Sequence, residues 1–418
     1  MLKSYKSDPA GKAARISVLR NHRWMGKRFF IDDAGKLQKQ ANGLFSQGSV
    51  TVREINNASE LAHLTEELTV YEALCLGVPN GATDNVKMTV ATRQLKRQFA
   101  QGSTPCLSRT KEDFGFWGGE GWLLIDYDTK GLPARVVERI RDVGGVMNAL
   151  HLIWPQLDDG DLLVRPSSSA GVHIIGQEPC DNSGFHMFVR LKRAVDIPLA
   201  LQALHSNCWL HGLGYHMISK SGRLLDRSIV DITVGSPERL IFTAPPILDD
   251  GIAREYCATT VREGSALLRP NAPLSAEWSR NRDIDRQRCK PAAEAQRAKY
   301  LRSAIKQRQH LHGETAKAAE EIITSRITGH CMQDADILQL ADGAEVTVSD
   351  LLDSIKVGDV ISCADPIEGR QYNPTAAAVL WGQQYKSPTL ISHAHGEVTR
   401  YSFARFGSGR AATQGAAL

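Results

Sequence analysis

Gly121-Trp-Leu-Leu-Ile-Asp-Tyr-Asp128 is the stretch on which the reading of this chain turns. Four consecutive apolar residues after a glycine predict a buried strand, and Lys130-Gly131 closes it with a turn. Side chains on a strand alternate, so Asp126 and Asp128, two apart, point to the same side. Two hard oxygen ligands there suit Mg²⁺ or Mn²⁺, whose shells are completed by water and substrate phosphates. The competing reading is a turn cap, for which Asp-x-Asp before Lys-Gly is equally suited. Downstream, Val136, Val137, Ile140, Val143, Met147 and Leu150 recur at helical spacing. Strands are expected at 162–165, 185–191 and 239–243, with a helix from Pro198 to Leu210. Upstream, 58–68 reads as a helix and 71–78 as a short strand, giving a mixed α/β or α+β core over about 70–260.

Three further segments carry chemistry. In Phe185-His-Met-Phe-Val-Arg-Leu191, period two sets His186, Phe188 and Arg190 against Met187, Val189 and Leu191. One set reads as core, and the other offers a histidine and an arginine to a phosphate. His173, after the serine-rich run Ser167-Ser-Ser169, is the rival histidine. Leu224-Leu-Asp-Arg-Ser-Ile-Val-Asp231 supplies a third carboxylate that would let two cations be held. Asp226 is favoured for its place after an apolar pair, with Asp231 the alternate. Arg239 and Lys220 are candidate phosphate partners, though either would serve equally as a surface charge.

The chain has 418 residues, 42% hydrophobic and 23% charged, a globular balance that fits neither a disordered chain nor a membrane protein. About 150 residues per domain gives two to three domains. No apolar run is long enough for a membrane span or a signal-peptide core, which implies a cytoplasmic protein. Eight cysteines without a C-x-x-C pair argue against a zinc ribbon or a disulfide framework. Net charge is only +4 but unevenly spread. Residues 1–30 carry eight Lys/Arg against Asp8 alone, and 279–312 carry ten against Asp283, Asp285 and Glu294. Residues 331–365 carry eight acids against Lys356 alone. Basic stretches on both sides of the middle region would draw in a polyanion, while also fitting solvated helix faces.

The order of these motifs resembles the archaeo-eukaryotic primase superfamily, specifically the primase-polymerases of phages, plasmids and integrative elements. The resemblance covers roughly 70–250 and includes Cys106-Leu-Ser-Arg-Thr-Lys-Glu-Asp-Phe114 and Ser236-Pro-Glu-Arg-Leu-Ile-Phe242. It implies an α+β fold with an RRM-like catalytic core over 1–264, divided near 115 into an N-terminal lobe and a metal-site lobe. A basic helical connector at 265–330, a small β-containing module at 331–405 and a tail at 406–418 would follow. The implied activity is template-directed nucleotidyl transfer by two metals, Mg²⁺ or Mn²⁺, on Asp126, Asp128 and Asp226. His186 would contact the incoming nucleotide, with Arg190, Arg239, Lys220 and Ser183 as further nucleotide-binding candidates. The implied partners are single-stranded or primed DNA, dNTPs or NTPs and a separate replicative helicase, with Trp117, Trp122 and Phe116 as stacking candidates. Ala364-Asp-Pro-Ile-Glu-Gly369 and Ser392-His-Ala-His-Gly396 resemble a module that follows primase domains, from which no site is carried over.

Other classes fit less well. A haloacid-dehalogenase-like phosphohydrolase opens with a strand and Asp-x-Asp, but its usual threonine four residues on is Lys130 here. A sugar-nucleotide transferase would leave the later His and Asp unexplained. A non-catalytic DNA-binding adaptor would not need three converging acids. Gly214-Tyr-His-Met-Ile-Ser-Lys-Ser221 approaches a P-loop, but Ser219 replaces the second glycine.

Overall fold

A computed structural model describes residues 13–43, 45, 47–82, 85–92, 96, 106–178, 184–255, 258–382 and 385–406. The fold is mixed α+β and divides into two compact units, one of 1–215 with 226–284, the other of 216–225 with 285–418. None of the described helices is long and apolar enough to cross a membrane.

In the first unit the chain opens with strands β1 (Ala14–Asn21), β2 (Gly26–Ile31), β3 (Leu37–Asn42) and β4 (Gln47–Ile55). Helix α1 (Ala58–Glu67) follows, capped where Asn57 Oδ1 accepts from Glu60 N at 2.8 Å and Glu60 accepts from Asn56 N at 2.7 Å. After it come β5 (Glu72–Cys75), β6 (Lys87–Ala91) and β7 (Cys106–Ser108). These build a sheet ordered β5-β1-β4-β6-β7, on a core of Leu19, Met25, Val50, Val90, Phe114 and their neighbours.

The expected strand is β8 (Gly121–Tyr127), buried except at Asp126. The helical periodicity resolves into α2 (Ala134–Asp142) and α3 (Val146–Ile153), because Gly144 and Gly145 take positive φ between them. Next come β9 (Leu162–Pro166), β10 (Val172–Ile174), β11 (Phe185–Leu191) and α4 (Ile197–Leu210). Short strands β12 (Ile247–Leu248), β13 (Ile252–Arg254) and β14 (Thr260–Arg262) complete the unit. The central sheet is antiparallel, ordered β8-β11-β9-β14. Residues 239–243, expected as a strand, make only a bridge between Ile241 and Leu74. His173 lies on β10, paired with β13, rather than in a loop.

β11 departs from the expectation of one buried and one open face, since Met187, Phe188 and Val189 are all fully buried. Helix α4 packs against the sheet at β8, and α1 packs at β9 and β14. The end carrying Gly184 and His186 opens toward a cleft.

The basic connector is helical, as α5 (Ser275–His312) and α6 (Ala316–Thr328). In the second unit, β15 (Cys331–Met332), α7 (Val348–Ser354), β16 (Val360–Cys363), β17 (Ala377–Leu380), β18 (Thr389–Ser392) and β19 (Thr399–Phe403) follow. Its sheet runs β15-β19-β18-β17-β16. The two motifs noted at 364–369 and 392–396 meet here. Asp365 accepts from Ser392 Oγ at 2.5 Å, and Glu368 lies 3.1 Å from His395 Nε2.

Candidate active site

The register of the central sheet builds the site. β8 and β11 pair over seven residues, setting Asp126 opposite His186, and β9 sets Arg165 opposite His186 on its other side. Direct cross-strand partners project from the same face, so a carboxylate, an imidazole and a guanidinium form one row. His186 Nε2 is 3.6 Å from Asp126 Oδ1. Gly184 eases the approach of β11 to the Asp-x-Asp, since a Cβ there would lie a tight 3.0 Å from the Tyr127 carbonyl oxygen.

Both readings of the Asp-x-Asp hold at once. Asp128 Oδ1 accepts from Lys130 N at 3.0 Å, as a turn cap does, and both aspartates line a cleft of about 400 Å³. Burial, then the negative charges of Asp231 and Asp128, push the Asp126 carboxyl up to about 6 against the pull of Lys27 and Arg239. Burial, then Lys27 and Arg165, push His186 down to about 3, so the ring is neutral near pH 7. Its Nδ1 is buried without a hydrogen-bond partner.

Of the two candidate third carboxylates, the one whose charge bears on Asp126 is Asp231, whereas the sequence reading favours Asp226. The strand Leu224–Ser228 delivers Asp226 to His205 Nε2 at 3.0 Å and Trp209 Nε1 at 2.8 Å, with Arg282 at 3.6 Å. Asp231 caps the turn Ile232–Gly235 by accepting from Thr233 N at 2.8 Å and Thr233 Oγ1 at 3.0 Å.

Other candidates fall elsewhere. Arg190 shares a face with His186 but is held at the far end of β11, 3.1 Å from Asp161 and 3.6 Å from Glu120, with a further bond to the Asn56 carbonyl. These contacts hold the guanidinium at the end of the strand away from the Asp-x-Asp. Arg239 is exposed, donates to the Thr233 carbonyl at 3.2 Å and acts electrostatically on Asp126. Lys220 belongs to the second unit, where it donates to the Glu368 carbonyl at 3.2 Å. His173 Nδ1 contacts the Gly171 carbonyl at 3.0 Å. Trp122 and Phe116 are buried, and Trp117 stacks under Arg15 at 4.4 Å. Ser183 lies outside the described residues.

Sequence reasoning missed the opposite wall. Lys27 and Lys39, from the β2–β3 hairpin, line the same cleft, with Ser167 and Ser169 beside them. Lys27 Nζ donates to Ser169 Oγ at 3.2 Å. The serine run was visible as a motif, but nothing in the sequence ties Lys27 to it across so long a separation. Among the described residues no three His, Cys, Asp or Glu side chains close on one point to hold a metal. The donor chemistry still fits a hard cation, since Mg²⁺ takes few protein carboxylates and fills its shell with water and phosphate oxygens. The burial and, after it, the like-charge repulsion that raise Asp126 are what such a cation would offset. No protein-family model, curated protein or solved structure matches this chain.

Proposed function

We propose that the chain is a template-directed nucleotidyltransferase, a DNA primase or polymerase of the archaeo-eukaryotic primase kind serving a mobile genetic element. The observation that carries this reading is the row Asp126–His186 across paired strands, with Asp128 and Asp231 on the acidic side and lysines opposite. The antiparallel sheet β8-β11-β9, with α2 and α3 between β8 and β9 in sequence and α4 after β11, is consistent with an RRM-like core.

The proposed reaction joins the 3′-oxygen of a primer, or of a first nucleotide, to the α-phosphorus of an incoming triphosphate. The bond to the bridging oxygen breaks, pyrophosphate leaves, and the hydroxyl proton passes to solvent. Such an in-line displacement needs alignment and charge neutralisation rather than a protein nucleophile. Mg²⁺ or Mn²⁺, when bound, supplies that neutralisation at the attacking and leaving oxygens. Asp126 and Asp128 would hold it, with Asp231 as the third carboxylate. Neutral His186 would orient a phosphate oxygen by hydrogen bonding, and basic side chains would meet template backbone.

Primer extension tests the reading. Full-length protein with a primed single strand, dNTPs and either metal is expected to lengthen the primer. Absence of extension with both metals, accompanied by phosphomonoester turnover, would replace it with the phosphohydrolase reading. Gel-shift binding of DNA without any synthesis would leave a non-catalytic adaptor.

A further inference from the structure

We propose that Lys27 and Lys39 of the β2–β3 hairpin, with Ser169 beside them and Arg165 behind His186, form a receptor for the terminal phosphates of a polyphosphate substrate. The inference deepens the proposed function: the carboxylates fix where metal would sit, and the hairpin fixes where the phosphate tail lies.

Register orients the hairpin. Phe29 pairs with Lys39, and Lys27 stands two residues before Phe29, so both lysines project from one face. That face is anchored on Val172 and Ile252 through Phe29, with Ile31, Leu37 and Leu248 packed around them. On the other face Arg28 grips Asp249 with two bonds of 2.8 and 2.7 Å, and β12 adds a parallel pairing to β2. The hairpin is therefore fixed in place, and the ammonium groups it presents to the cleft are placed rather than incidental.

These cations have no directly paired carboxylate, although Asp126 and Asp128 act on Lys27, and Glu66 on Arg165, from a distance. Among the described residues no carboxylate comes within 4.0 Å of Lys27, Lys39 or Arg165. Lys27 is bonded to a neutral hydroxyl, and Arg165 buries Nε and Nη1 without partners. Desolvation, then Lys39, lowers the Lys27 amine, and desolvation, then Arg254, lowers Arg165 to about 10. Arg254 itself is spent on the loop, donating to the Ala170 carbonyl at 3.0 Å and the Ser167 carbonyl at 3.1 Å. Gathering several cations at the mouth of a half-buried cleft costs stability unless an anion of multiple charge enters. The aspartates on the facing wall exclude a bare carboxylate ligand and favour one that brings its own metal, as a triphosphate does.

The test is direct binding to the full chain with Ca²⁺, which supports binding without turnover, using inorganic tripolyphosphate, a dNTP and the matching dNMP. Tripolyphosphate is expected to compete with the dNTP while the dNMP competes poorly. Lys27→Met is expected to weaken both polyphosphates by about tenfold, as loss of one charge-assisted contact would. Exposed Lys39→Met is expected to weaken them by about threefold, and Lys36→Met, in the hairpin turn, to leave them unchanged. Should Lys27→Met fail to fold, Lys39→Met and Ser169→Ala carry the same comparison. Wild-type affinity in the cleft variants, or a loss confined to primed DNA, overturns the receptor. If the wild type extends primers while these variants keep its dNTP KM, the receptor fails and the polymerase stands. If no extension occurs but tripolyphosphate binding depends on Lys27, the receptor stands and the polymerase fails.

Discussion

The two ends of β11 differ in a way that separates scaffold from site. At one end Arg190 meets Asp161, itself 1% exposed, and Asp161 also accepts from Ala58 N at 2.9 Å. Charges there are opposite and adjacent, although Arg190 Nε and Asp161 Oδ2 make no hydrogen bond. At the other end Asp126 meets Asp231 and Asp128, which repel it, and His186 keeps a buried nitrogen without a partner. The face of the sheet is the same, but one end sets a guanidinium against a carboxylate and the other gathers carboxylates beside a neutral imidazole. Paired charges locate what the fold needs, whereas unrelieved like charges at a cleft locate what a ligand must supply.

The largest expected effect breaks the comparison at the carboxylates. Asp126→Ala or Asp128→Ala is expected to lower primer extension by about a thousandfold or more, with no loss of thermal stability, because metal-assisted displacement has no substitute here. Arg190→Ala is expected to do the opposite. It leaves Asp161 buried and poorly paired, so stability falls by about 2–4 kcal/mol while dNTP KM in the surviving fold is unchanged. Extension rates near wild type in both aspartate variants would make the Asp-x-Asp a turn cap alone.

Asp231 and Asp226 sharpen the contrast over five residues of chain. Asp231→Asn is expected to reduce extension by about a hundredfold with little change in Tm. Asp226→Asn is expected to cost about 1–3 kcal/mol, by loosening the bonds to His205 and Trp209, and to leave turnover per folded molecule intact. Parallel measurement of Tm and rate on the two variants decides it. An inactive, fully stable Asp226→Asn would restore the sequence-based choice.

That choice marks the limit of what the sequence made legible. β8 and β11 were readable because an apolar run and an alternating run leave few alternatives, and their pairing brings the acid and histidine motifs together. Asp226 looked the better ligand because it follows Leu224 and Leu225. What decided its role was a partner on α4, which no local pattern reveals. The opening sheet was not anticipated, since β1 and β4 mix Arg15, Arg20 and Arg53 among their apolar positions. The helical spacing from Val136 to Leu150 does not reveal the break between α2 and α3, because it continues across Gly144 and Gly145, where the backbone turns. Lys27 and Lys39 were legible only as charge, because the hairpin that turns them to the cleft is a tertiary fact.

A smaller effect distinguishes the histidines. His186→Ala is expected to raise dNTP KM by about tenfold while template affinity in a gel shift is preserved, since backbone contacts rest on basic surfaces. His173→Ala, removing a ring bonded locally to Gly171, is expected to change KM by less than about twofold. A reversed pair of results would move the nucleotide contact to β10 without displacing the carboxylates.

The smallest expected effect is thermodynamic and follows from the burial of Asp126 and the like charges around it. Asp126 has a folded-state value of about 6 against an ordinary 3.8, so the native state binds its proton more tightly than the unfolded chain does. The associated stability is full below 3.8 and is lost as pH rises through about 6, leaving an ionised, repelled carboxylate in the native protein near neutrality. A shift of this size corresponds to at most about 3 kcal/mol, and the 36% exposure of the side chain reduces it through solvent screening to about 1 kcal/mol. Asp126→Asn is therefore expected to be more stable than wild type by about that amount at about pH 7.5, with the gap closing toward about pH 4. His186 works in the other direction, losing stability as pH falls below 6.5, but it is common to both proteins and cancels in the difference. Adding Mg²⁺ is expected to raise the wild-type Tm and to leave Asp126→Asn nearly unmoved, because only the former gains a ligand that relieves its repulsion. Thermal melts across pH, with and without metal, measure both. A variant no more stable than wild type at neutral pH would mean that Asp126 is neutralised by the surrounding lysines already, and that the acidic end of β11 is as settled as the Arg190 end.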